Sequence, residues 1–122
     1  MLYLGPISHG ESKAYFEKVN IVFGENSGCV CCKDGNEILG FCLYELDSYK
    51  MTVKYIEPAG DIALADGILR STLHVAAERN ILNAFYDDTV PYDFLKKINF
   101  IKDEDKKRLD IDKLFKSCCD CG

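Results

Sequence analysis

MTVKYIEPAGDIALADGILRSTLHVAAERN, residues 51–80, decides the fold. Its first seven residues set Thr52, Val53, Tyr55 and Ile56 among polar side chains in near alternation, the composition of a strand. Pro58 and Gly60 interrupt that strand, since proline brings no N–H to a ladder and glycine no side chain to pack. From Asp61 the period changes. Ile62, Ala65, Leu69, Leu73 and Ala76 recur every three or four residues and form the apolar stripe of a helix over residues 61–79, with Arg70, His74 and Glu78 on a polar stripe. Asn80 closes the helix, and ILNAFY, residues 81–86, reads as a second strand. Strand, turn, helix, strand is a crossover unit, so the two strands are expected to lie parallel with the helix across them. Ligands of such units meet the chain at the strand-to-helix turn, where helix N–H groups are unpaired, and function is expected there.

Working outward, residues 1–4 form a short first strand ended by Gly5 and Pro6. Ser8 and Glu11 have capping-box spacing and start a helix whose apolar face is Tyr15, Phe16, Val19, Val22 and Phe23, with Gly24 as its stop. Residues 29–32 are a short strand, Asp34 and Gly35 a hairpin signal, and residues 37–46 a longer strand with apolar side chains on both faces. Beyond Tyr86 come a loop, a short helix over residues 92–98, and strand pieces at 100–101 and 108–111. The charged run 103–107 between them reads as a solvated hairpin tip. With no repeat and no dividing linker, residues 1–116 are expected to form a single domain, followed by a cysteine-rich tail at 117–122.

Composition narrows the function. A chain of 122 residues suits one domain with one core. A net charge of −5 argues against a nucleic-acid partner, which needs a basic face. No apolar run is long enough for a membrane span, and the N-terminus lacks the basic segment and apolar core of a signal peptide. Seven cysteines without an export signal point to a reducing, cytoplasmic setting.

Four short motifs stand in a telling order: Gly40-Phe41 in the middle strand, Val53 through Pro58, Leu69 followed by AAERN at 76–80, and FLKKINF at 94–100. Over residues 29–111 this order resembles the GNAT superfamily of acyl-CoA N-acyltransferases. The resemblance implies an α/β fold of the α+β type: a mixed, mostly antiparallel sheet with one central parallel strand pair and helices on both faces. It further implies an N-acetyltransferase that moves an acyl group from acetyl-CoA to an amine on a small molecule or peptide. Backbone near Tyr55, Ile56 and Glu57 would hold the acyl-pantetheine arm where the parallel strands splay, and the turn bearing Asp61, Ala63, Leu64, Ala65 and Asp66 would face the pyrophosphate.

At that turn the chain departs from the family, which uses Gln or Arg, two variable residues, Gly, one more, then Gly or Ala. Here Asp61 replaces the polar or basic residue, Leu64 the central glycine, and Asp66 the last small residue. A carboxylate about 4 Å from one phosphate charge costs about 4 kcal/mol at an effective dielectric of about 20, near a thousandfold in affinity, so CoA binding is expected to be weak or lost. Asp61 also reads as an ordinary N-cap. Leu95 stands where many GNAT enzymes carry the tyrosine that protonates the departing thiolate, leaving Tyr92, one turn earlier, as the candidate acid. Glu57 is the nearest carboxylate for a general base.

The cysteines support a second reading. Cys29 with Cys32, and Cys118 with Cys121, are two Cys-x-x-Cys pairs that would hold zinc or iron if they met in space. On that reading the chain is a non-enzymatic GNAT-like module binding a metal or a protein partner through its cysteines. A homodimer is among the assemblies either reading admits.

Overall fold

The computed structural model describes residues 2–58, 60–90, 92–112 and 114, with Tyr92 described through its backbone. Its elements run β1 (Leu2–Pro6), α1 (His9–Lys18), β2 (Ser27–Asp34), β3 (Glu37–Leu46), β4 (Met51–Glu57), α2 (Ile62–Glu78), β5 (Ala84–Tyr86), α3 (Tyr92–Lys97), β6 (Ile101–Asp103) and β7 (Arg108–Leu109). The strands form one sheet in the order β1-β2-β3-β4-β5-β7-β6. All neighbours are antiparallel except β4 and β5, which are parallel as the crossover unit requires. The expected boundary at 116/117 and the tail lie outside the described residues.

Strict alternation divides the sheet into two faces. Val30, Cys32, Cys42, Tyr44, Met51 and Val53 pack with α2 and α3 in the larger core. Cys29, Cys31, Phe41 and Leu43 point the other way, under Phe16 of α1. Between β3 and β4 the alternation slips once, as it also does between β2 and β3 at Leu39. Leu43 faces Tyr55 while Tyr44 faces Val53, so Lys54 has no partner on β3 and forms a β-bulge. Beyond it Ile56 takes the α2 face and Tyr55 the α1 face, where its ring stacks on Phe41 at 5.9 Å.

Helices α1, α2 and α3 end in one way. The capping residues are followed by Asn20, Asn80 and Asn99 at φ of 59°, 61° and 59°. In each the next N–H turns back to the helix: Ile21 to Phe16 O at 3.0 Å, Ile81 to Ala76 O at 2.9 Å, and Phe100 to Leu95 O at 3.3 Å. This is the Schellman closure, with asparagine accepting the left-handed conformation and an apolar residue after it sealing the end. It corrects the first helix. α1 stops at Lys18, well before Gly24, because Asn20 takes the left-handed turn, and Val22 is 86% exposed instead of lying on the apolar face. It also shortens β5, since Ile81 belongs to the α2 closure and pairing with β4 starts only at Ala84. The Ser8 cap forms as expected, accepting from the Glu11 N–H at 3.2 Å.

α2 is held against β3 and β4 at Gly40. A Cβ there would stand 2.6 Å from the Glu57 carbonyl oxygen, 2.7 Å from Ile68 Cδ1 and 2.7 Å from Pro58 Cδ. Two of these belong to the strand end and its turn, which cannot swing aside. Gly40→Ala is therefore expected to destabilise the fold by about 1–3 kcal/mol. Gly67, inside α2 with nothing within 4 Å of its notional Cβ, gives the opposite sign. Gly67→Ala should stabilise by about 0.5–1 kcal/mol, and denaturant titration of both variants checks the pair.

Candidate functional site

The site follows from the unequal lengths of β4 and β5. The parallel pairing covers Met51↔Ala84, Thr52↔Phe85 and Val53↔Tyr86 and stops. Asp87 donates its N–H to Val53 O at 2.9 Å, and there the strands part. Residues 55–57 continue along β3 with no strand beside them on the other edge among the described residues. The bulge sits at the parting point. The Thr89 hydroxyl donates to the Lys54 carbonyl, and the Lys54 ammonium lies 3.2 Å from Asp87 Oδ2. Asp87 is held below the usual carboxylate range, first by the Asp88 N–H and then by Lys54. Loop 87–90 thus pins the bulge, and past it Tyr55–Glu57 pair with β3 alone among the described residues, where β4 and β5 have parted.

Glu57 ends β4 half-buried beside this gap, and Pro58 passes the chain to α2. Asp61 is the N-cap of α2: its carboxylate accepts from the Leu64 N–H at 3.1 Å, and its carbonyl from the Ala65 N–H at 2.9 Å. Among the described residues the N–H groups of Ile62 and Ala63 at the helix start have no protein partner. Leu64 packs against the larger core, and Ala65 and Ile56 are buried in it, so Ala65 and Ile56 offer backbone alone. Asp66 pairs with Arg70 at 3.1 Å, and that guanidinium rests 5.0 Å over the Phe100 ring. Arg70 therefore offsets the charge of Asp66 and leaves Asp61 as the carboxylate directed at an incoming anion. The turn does not fit a pyrophosphate: a carboxylate occupies the donor and a leucine stands where close approach needs a small residue.

Leu95 is fully buried and carries no proton to give. The side chain of Tyr92, at the start of α3, lies outside what the structure describes, as do Cys118 and Cys121. Cys29 and Cys32 are corrected as a pair. One belongs to the α1 face and the other to the α2 face, so they cannot share an ion. Among the described residues no group of three or more His, Cys, Asp or Glu side chains is placed to hold a metal.

Two cavities lie apart from the gap. One of about 630 Å³ opens at the opposite end of the sheet, between Ser27, Tyr44, Leu46 and the last turn of α2. The other, about 380 Å³, lies behind loop 87–90 and is lined by Asp87, Asp88, Glu104, Asp105, Lys107 and Tyr86. Sequence reading missed the bulge and this acidic cavity. The bulge had a signal: Tyr55 and Ile56 are consecutive apolar residues in a strand that otherwise alternates.

A seven-stranded sheet with one parallel pair that parts beyond a bulge, α1 on one face and α2 and α3 on the other, is a GNAT-like fold. The crystal structure of ribosomal-protein-alanine N-acetyltransferase from Brucella melitensis biovar Abortus 2308 matches it with a TM-score of 0.57, covering 81% of this chain and 89% of that one at 10% identity. No family profile matches the sequence, and no curated protein does.

The buried thiols give this region a measurable signature. Burial pushes Cys42 up to about 12 and lifts Cys29 well above the usual thiol range, and burial also raises Tyr15 and Tyr44. Each group stays protonated when folded and ionises at its ordinary pKa when unfolded, so its contribution is complete below that value and is lost as pH rises toward the folded one. The denaturant midpoint is expected to fall steadily from about pH 9 to pH 11, with a shallower slope in Cys42→Ala. Thiol titration of the folded chain should find no more than three of the seven cysteines reactive, since Cys29, Cys31, Cys32 and Cys42 are buried.

Proposed function

We propose that this chain is an acyl-CoA N-acyltransferase of low donor affinity, acting on an amine at the gap between β4 and β5. The observation that supports the reading is the parting of the parallel strands beyond Val53 and Tyr86, which leaves the Tyr55–Glu57 edge without a β5 partner, the place where an amide-bearing arm would pair. The donor supplies an activated thioester carbonyl. Backbone groups at Tyr55, Ile56 and Glu57 orient it, and Glu57 takes the proton the amine loses as the C–N bond forms. The C–S bond breaks, and Tyr92 is assigned the proton that the departing thiolate receives. Asp87 at the parting of the strands, with Asp88, Glu104 and Asp105 behind it, outnumbers Lys107 in charge and favours the approach of a cationic amine as acceptor.

The turn at Asp61 sets the affinity. With one donor capped and a carboxylate at the helix end, the nucleotide half of CoA gains little. Titration calorimetry should give acetyl-CoA a Kd above roughly 0.1 mM, about −5.5 kcal/mol or poorer. Acetyl-pantetheine, which lacks the nucleotide, should bind within a few-fold of it. The double change Asp61→Arg with Leu64→Gly should tighten acetyl-CoA at least tenfold and leave acetyl-pantetheine unchanged. Micromolar binding by the unaltered chain would show that the turn accommodates pyrophosphate after all. No binding of either compound, even by the double variant, would favour the non-enzymatic module.

A further inference from the structure

The two edges of the sheet are finished differently. β6 closes one side with three residues, two of them the charged Lys102 and Asp103. β1 closes the other with LYLGP, which has no charge, and Leu2, Tyr3 and Leu4 are 65%, 47% and 43% exposed. Natural edges are normally blunted by charge, twist or cover, and an uncharged apolar edge is a template for another strand. From this we infer that β1 is an interface with a second copy of this chain, the two β1 strands pairing antiparallel about a two-fold axis at Leu4.

The hydrogen-bond parity of β1 selects that register. Ile7 donates to Cys29 O at 3.0 Å, so Gly5 and Tyr3, two and four residues back, turn their backbone groups toward β2. Leu2, Leu4 and Pro6 then turn theirs outward. With the axis at Leu4, each Leu4 N–H meets the other copy's Leu4 carbonyl, and each Leu2 N–H meets the other copy's Pro6 carbonyl. Pro6 has no N–H to contribute, so the ladder ends there without a stranded donor. The Pro6 carbonyl already accepts from the Tyr3 hydroxyl at 2.6 Å, and its second lone pair remains for Leu2.

Charge favours a second copy over a charged partner. No charged side chain of β1 enters the seam, although each chain carries −5. On the neighbouring strand, Lys33 and Asp34 sit beside Tyr3 and Leu2. The two-fold moves the two Asp34 side chains to opposite ends of the seam, roughly 20 Å apart by strand spacing and rise, beyond the screening length at physiological salt. A two-fold contact closes on itself, so it gives a dimer and not a fibre. Five residues a side is small beside the roughly 800 Å² per partner of a standard interface, so the dimer is weak and depends on concentration.

Sedimentation velocity on the full chain under reducing conditions, from about 5 to 500 µM, tests this. The mass should rise from 13.8 kDa toward twice that value across the range, and at lower concentration when salt screens the net charge. Leu4→Pro removes only an outward N–H and is expected to stay monomeric throughout while circular dichroism shows a folded chain. Should that variant fail to fold, Leu2→Lys with Leu4→Lys keeps every N–H, sets like charges across the axis, and should also stay monomeric. A wild-type chain that remains monomeric at 500 µM overturns the inference, whether or not hydrogen exchange then finds Leu2 and Leu4 covered by another part of the chain. Dimerisation of the folded variants as strong as wild type also overturns it, by placing the contact elsewhere.

Discussion

Everything distinctive in this molecule depends on a contact that leaves no room for a side chain. At Gly40 the end of β4, the turn after it and Ile68 of α2 converge within less than 3 Å of where a Cβ would stand. That approach seats α2 low on β3 and β4, so Ala65, Ile68, Leu69, Leu73 and Ala76 are wholly buried, while Ile62, expected on the same stripe, lies at the helix start and is exposed. It also delivers the first turn of α2 beside the last residues of β4. A helix riding higher would leave that turn away from the gap, and the two halves of the candidate site would not belong to one surface.

The halves have been treated differently by the sequence. The strand half keeps what an extended, amide-rich ligand needs: a free edge, a bulge fixed by Lys54, Asp87 and Thr89, and a carboxylate at the rim. The helix half is self-sufficient, its first turn capped by its own side chain. Asp61 satisfies a donor that would otherwise wait for a phosphate, and such a cap contributes about 1 kcal/mol to the fold whether or not a ligand is present. At any helix end, capping and anion binding draw on the same N–H groups. The Asp66–Arg70 pair softens the conflict by removing one of two negative charges.

Much of this was legible in the residues, and the failures have physical causes. The parallel pair, the hairpin at Gly35, the Ser8 and Asp61 caps and the bounds of β3 and β4 follow from alternation, period and capping chemistry. The end of α1 did not, because glycine was taken as the stop when asparagine serves after each of α1, α2 and α3. Nor did the pairing of Asp66 with Arg70, although four residues apart on a helix is the spacing such pairs need. Cys29 and Cys32 look like a chelating pair in one dimension and are separated by the sheet in three. The acidic cavity joins loop 87–90 to the 104–107 turn, and no local pattern announces that meeting.

The bulge makes chain length, and not only residue identity, a carrier of the cleft. In most of β4 the loss of one residue would send every later side chain to the wrong face. At Lys54 the reverse holds: deleting it would leave Met51, Val53 and Ile56 on the α2 face and Thr52 and Tyr55 on the other, in regular alternation. Such a deletion would erase the irregularity at the parting of the strands and leave the core pattern intact. A lineage could therefore lose this opening through a single codon while conserving the fold around it, and a relative that is one residue short at this point would be one in which the two have come apart.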